Sequence, residues 1–295
     1  MNPKKSGSKT KTAAPGPLAG LLRFGVYSNL FIAACAVLMA WQTGQVLTGP
    51  DTQPALLRFI FYATLCSYSF HYYFTTESAI PSPRIRWTRR YKNLLLIFFI
   101  AGLSGSVYWL FRLWEIRYWI LPAVAASFLY SAPKVPHPLL LQLRKVAIGK
   151  TIFLAFVWMY VTTVLPLAAA GQAWNGVFTL YAVSRYFFIY AVCILFDYRD
   201  REDDKRNGVK SLITFLSERN IDRLFLFSLL VYFGSTLLLI QQQGPRTSFL
   251  LLLIPGIILA LLYKYAKRNF SDLLYYVLLD GLMALPAVLM LIARI

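Results

Sequence analysis

Acidic residues are scarce in this chain: 12 Asp and Glu stand against 30 Lys and Arg in 295 residues, a formal net charge of +18. Cysteine and histidine are rarer still, with three and two copies. Cys35, Cys66 and Cys193 each fall inside an apolar run without paired spacing. That excludes a disulfide framework or thiolate metal site and leaves them as small packing residues. His137, between Pro136 and Pro138, reads as structural. Alternating ten-residue segments are absent, which excludes a membrane β-barrel. A cleaved signal peptide is not expected, because the charged N-terminal region leads into a run too long for a signal core, with no small-x-small site after it.

What the chain has in abundance is apolar surface, with 58% hydrophobic and 16% aromatic residues. Such a composition is too apolar for a soluble domain of this length and identifies an integral membrane protein. Runs near the length of a hydrocarbon core fall at 20–44, 54–76, 93–113, 116–133, 148–170, 174–196, 222–242, 247–266 and 271–293. The expected fold is therefore all-α, a bundle of about nine transmembrane helices, because backbone groups in lipid need partners within the segment. Trp41, Trp114, Trp119 and Trp174 sit near span ends, as interfacial anchors do. Residues 1–17 are basic, rich in Gly, Pro and Ser, and expected to be a disordered tail. Residues 18–295 are expected to form one membrane domain.

The excess positive charge is unevenly placed. With the N-terminus inside, inner segments hold Lys4, Lys5, Lys9 and Lys11, then Arg84, Arg86, Arg89, Arg90, Lys92, Lys134, Arg144, Lys145, Lys205, Arg206, Lys210, Lys264, Lys267 and Arg268. Outer loops keep Arg112, Arg117 and Arg246, with Arg294 at the end. Positive-inside bias thus predicts a cytoplasmic N-terminus and an external C-terminus. Anionic lipid headgroups account for the basic loops, and no nucleic-acid partner is expected.

Five of the twelve acids lie between Asp197 and Asp204, where the run ending at Phe196 passes into DYRDREDDKRNGVKSL. Extending the preceding helix at about 100° per residue places Asp197, Asp200 and Asp204 on one face, with Lys205, Arg206 and Lys210 just beyond. Convergent carboxylates at a membrane lip suit a hard divalent cation such as Mg²⁺, which typically completes its shell with substrate phosphate. The plainer alternative is a solvated charged loop between two spans.

The motif D-x-x-D-x-x-x-D at Asp197, Asp200 and Asp204, then Gly208 and Ser211-Leu212, resembles the second aspartate-rich motif of the UbiA superfamily of intramembrane prenyltransferases. Tyr130-Ser-Ala-Pro133-Lys134 resembles the Tyr-Ser/Thr-x-Pro segment leaving the family's fourth helix. The likeness spans about residues 20–290 and implies nine helices around a central cavity, as two four-helix repeats plus a last helix. It further implies Mg²⁺-assisted transfer of a prenyl group from a prenyl diphosphate to a lipophilic acceptor, aromatic or quinone precursor. Asp197, Asp200 and Asp204 would then be catalytic and metal-binding. Lys134, Arg144, Lys150, Lys205, Arg84, Arg86, Tyr130 and Tyr190 are the candidate substrate contacts. Tyr186, Phe187 and Tyr190 could present aromatic faces to an allylic cation, packing being the alternative.

The likeness has a gap. In place of the family's first aspartate-rich motif stands Ser67-Tyr-Ser-Phe-His71-Tyr-Tyr-Phe-Thr-Thr-Glu77. His71 and Glu77, six residues apart on a helix, point about 120° away from each other, and imidazole is a poor ligand for Mg²⁺. Three readings compete: a transferase in which Arg84, Arg86, Arg89, Arg90 and Lys92 replace the missing metal; a protein that binds lipid diphosphate without turnover; and a scaffold or transporter. Asp280, within the last span, should face a cavity or a partner, for which Arg185 is a candidate, with a structural hydrogen bond and an acceptor-orienting role as the two alternatives.

Overall fold

In a computed structural model of the chain, residues 17–49, 53–75, 82–132, 149–206, 211–244 and 246–294 are described. The described residues form helices and turns without a strand. In order they give α1 (Pro17–Tyr27), α2 (Leu30–Leu47), α3 (Pro54–Phe74), α4 (Pro83–Arg90), α5 (Lys92–Arg112) and α6 (Arg117–Ser131). Then come α7 (Lys150–Ala169), α8 (Gly176–Arg206), α9 (Leu212–Phe215), α10 (Glu218–Gln243), α11 (Thr247–Ala266) and α12 (Leu274–Ala293).

Seven of these are long and apolar enough to cross a membrane: α2, α5, α7, α8, α10, α11 and α12. The expected spans at 54–76 and 116–133 coincide with α3 and α6. Helix α3 has 21 residues, but Arg58, His71 and its Ser and Tyr residues keep it out of the apolar set, while α6 has only 15 residues. Large apolar side chains point outward, among them Ile97, Ile100 and Phe111 on α5 and Leu226, Phe227 and Leu230 on α10. Apolar exteriors of this kind belong in lipid, so the chain is a multi-pass, all-α membrane bundle.

Two expected boundaries move. The run 20–44 is not one helix: Asn29 adopts a left-handed conformation with φ 67, and α1 ends two residues before it. Asn is among the few residues that tolerate this region, because its short amide can bond locally. By contrast, the helix expected at 174–196 continues to Arg206 and carries the whole acidic cluster on regular helix. Of the expected 1–17 tail, residues 1–16 lie outside the described residues, and Pro17 opens α1.

Close packing rests on small residues. A Cβ at Gly102 of α5 would stand 2.6 Å from the backbone nitrogen of Cys66 on α3, so the two helices touch backbone to backbone. Ile189, Ala191, Ile194 and Leu195 of α8 are buried at the centre of the main core, with Met39, Leu56 and Tyr275 from its neighbours.

Candidate active site at the charged mouth of an apolar cavity

The helices enclose a cavity of about 920 Å³. Its body is lined by apolar side chains such as Phe31, Phe59, Leu110, Val161, Leu165 and Ile189, and its mouth by charged ones. The helical pitch of α8 delivers Asp197, Asp200, Asp203 and Asp204 to that mouth together.

These acids are not equivalent. Asp197 is buried, accepts a short hydrogen bond from the Thr151 hydroxyl, and lies 3.6 Å from Lys150 Nζ. The same ammonium is 3.5 Å from Asp204 Oδ2, so Lys150, the first residue of α7, bridges two turns of α8. Asp200 has a side chain 50% exposed and lies 3.9 Å from Arg199 Nε. Asp197 thus anchors a lysine, whereas Asp200 presents its carboxylate to the cavity.

A second cluster faces the first. Asp272, just before α12, accepts from Tyr27 Oη at 3.0 Å, from the Arg84 backbone at 2.9 Å and from Arg199 Nη2 at 3.3 Å. Burial, reinforced by the Asp272 carboxylate, pushes the Tyr27 phenol up, so it remains a proton donor. Arg84 is placed by α4, which starts at Pro83 behind a Ser82 side-chain cap. Its guanidinium sits 3.8 Å from the Tyr72 ring centre and 4.1 Å from that of Tyr276, and Nη2 donates to Asn29 Oδ1 at 2.7 Å. The helix break at Asn29 therefore has a use: it turns an amide oxygen onto Arg84. Arg84 Nε and Arg199 Nη1 are buried without a hydrogen-bond partner.

Of the other candidates, Tyr130 lines the cavity and stacks on His71 with ring centres 5.6 Å apart. Tyr190 does not line it; its ring stacks on Tyr186 at 5.9 Å, and Phe187 packs against Phe227. Lys205 pairs with Glu202 at 2.8 Å on the exposed side of α8, and Arg86 is exposed on α4 away from the cavity lining. Lys134, Arg144 and Glu77 lie outside the described residues.

Arg185 does not partner Asp280. Its Nη1 donates to the Met39 carbonyl at 2.7 Å and the Thr162 carbonyl at 3.0 Å, and its Nη2 to Gln42 Oε1 at 2.8 Å. The π-helical turn Tyr160–Val164 in α7 surrounds Thr162, in keeping with a carbonyl freed for an outside donor. Arg199, Asp272, Asn29, Tyr72 and Tyr276 were not among the sequence candidates; the signal for Arg199 was its place inside the acidic motif.

Among the described residues no group of three His, Cys, Asp or Glu side chains is arranged to hold a metal ion. A cage of protein ligands therefore does not fit. A single Mg²⁺ held by one or two carboxylates and by phosphate asks for less, and Asp200 and Asp204 stand one helical turn apart at the mouth.

Searches of curated proteins and of solved structures return no match to the chain. Residues 75–274 match the UbiA prenyltransferase family, a stretch running from the end of α3 to the first residue of α12. Since that stretch carries Arg84, Lys150, the acidic face of α8 and Asp272, the mouth of the cavity is built almost wholly from the matching segment, and the chain belongs to the UbiA prenyltransferase family.

Proposed function

We propose that this protein transfers a prenyl group from a prenyl diphosphate to a lipophilic acceptor within the membrane. The observation that carries the reading is the polarity of the cavity: charged groups at the mouth, an apolar body behind them. A prenyl diphosphate has the same division, with a tail whose exposure to water would cost about 0.8 kcal/mol for each CH₂.

Each charged residue has a task in this reading. Arg84 and Arg199, each with a buried N–H left over, donate to the diphosphate. Lys150 adds positive charge beside Asp197 and Asp204. Asp200 and Asp204 would hold Mg²⁺, which when bound would supply further neutralisation of the leaving group. The apolar body keeps water from the allylic cation, and the Tyr68 and Trp158 rings on its wall can face that cation.

Arg84 also answers the gap in the sequence. The place of a first acidic motif, at the end of α3, holds Tyr72, and the guanidinium lies on its ring. A fixed cation there replaces a metal held by carboxylates, which favours a one-metal transferase. We further place the mouth on the cytoplasmic side, following the positive-inside bias, and take α1 to α12 as one membrane domain of two four-helix halves and a last helix.

The test is a donor screen with purified protein, with and without Mg²⁺, scoring released diphosphate. Release that depends on Mg²⁺ and on a lipophilic acceptor supports transfer. Saturable binding of a donor without release in any condition would replace it with lipid-diphosphate binding.

A further inference from the structure

Behind the mouth, the cavity wall carries an ionisable side chain that the donor site leaves unused. Asp280 follows directly on the π-helical turn Leu274–Leu279, and lines the cavity with Tyr276 one turn before it and Met283 one turn after. Among the described residues its carboxyl makes no hydrogen bond or ion pair. The titratable groups that face it are Cys35 on α2, Tyr68 and Tyr72 on α3, Arg84 on α4, and Cys193 and Arg199 on α8. The two arginines are engaged elsewhere, with Asn29 and Asp272. A polar group left without a partner at membrane depth is a mark of a ligand site.

Its position says which ligand. A single helical turn separates Asp280 from Tyr276, whose ring contacts Arg84. In an allylic diphosphate, C1 is attached to phosphorus through a single oxygen. A diphosphate held at Arg84 and Arg199 therefore puts C1 close to the level of Asp280. The attacking atom of the acceptor has to come within about 3–3.5 Å of C1.

We propose that Asp280 receives the nucleophilic end of the acceptor, and that this end is a hydrogen-bond donor, a hydroxyl, phenol or amine, with no carboxylate beside it. The assignment rests on the donor reading given above. An O–H or N–H satisfies the buried carboxyl oxygens, whereas an acceptor carboxylate would meet like charge in a low-dielectric wall.

The experiment follows thermal unfolding of detergent-solubilised protein titrated with 4-octylphenol, octylamine and 4-octylbenzoate, each with and without saturating farnesyl thiolodiphosphate. Wild type is expected to bind the phenol and the amine at least tenfold more tightly than the benzoate. Asp280→Asn should lose at least tenfold in amine affinity and admit the benzoate, with its response to the thiolodiphosphate unchanged. Equal affinity of wild type for all three compounds would overturn the proposal, whether or not the variant folds. So would Asp280→Asn and Asp280→Leu variants that keep the wild-type preference. A thiolodiphosphate that fails to stabilise wild type would instead sink the donor reading, while the titrations made without it still report on Asp280.

Discussion

Arg84 lies 3.8 Å from the centre of the Tyr72 ring, and it comes from a different helix, α4, that reaches back over the end of α3. A guanidinium so placed cannot swing away without losing ring contacts worth about 0.5–2 kcal/mol each. It is a preorganised cation at the mouth of an apolar cavity.

Arg84→Lys should not restore what Arg84→Gln loses. Lysine keeps the charge but not the planar fork that spans Asn29, the rings and a phosphate. Both variants are expected to weaken donor-analogue binding at least tenfold, about 1.4 kcal/mol, by calorimetry with a prenyl thiolodiphosphate. A fully functional lysine variant would show that charge alone suffices.

Asp200→Asn should separate chemistry from stability. Its side chain is half exposed and pairs loosely with Arg199, so unfolding should shift by no more than about 0.5 kcal/mol. Mg²⁺-dependent diphosphate release should nevertheless fall at least a hundredfold, on the order of the loss of one transition-state contact.

Lys150→Met should cost stability as well. Removing the ammonium leaves Asp197 buried without its cation, a cost of about 3 kcal/mol. Adding Asp197→Asn removes the more buried of the two carboxylates that Lys150 bridges and should recover part of the loss in thermal unfolding. No recovery in the double variant would mean that the pair is not coupled.

Two glycines make a matched test of the packing. Gly102→Ala drives a Cβ to 2.6 Å from Cys66 backbone and should cost about 1–3 kcal/mol. Gly234→Ala, within α10 and with nothing inside 4 Å, should instead stabilise by up to about 1 kcal/mol.

Much of this was legible in the sequence. Long apolar runs announce helices because lipid leaves the backbone no other option, and a seven-residue spacing of acids announces one face. Three things were hidden. The break at Asn29 sits inside a mostly apolar run, and the side chain it turns inward meets Arg84, 55 positions away. Asp272 reads as a lone acid in a short connection until α4, α8 and Tyr27 converge on it. Arg185 invites pairing with the nearest intramembrane acid, yet carbonyls and amides satisfy it, one of them within a π turn that no residue pattern marks.

The length of α8 has a consequence for how a ligand arrives. Its 31 residues span about 46 Å, against about 30 Å of hydrocarbon. Roughly three turns must therefore stand among lipid headgroups, carrying the acidic face with them. On the donor reading, a prenyl diphosphate dissolved in the bilayer need not rise into water to be captured, because its phosphates travel at the same depth as the acidic face. Every phospholipid in the leaflet travels at that depth too. On the donor reading, discrimination then falls to how the tail fits the apolar chamber of about 920 Å³ behind the mouth.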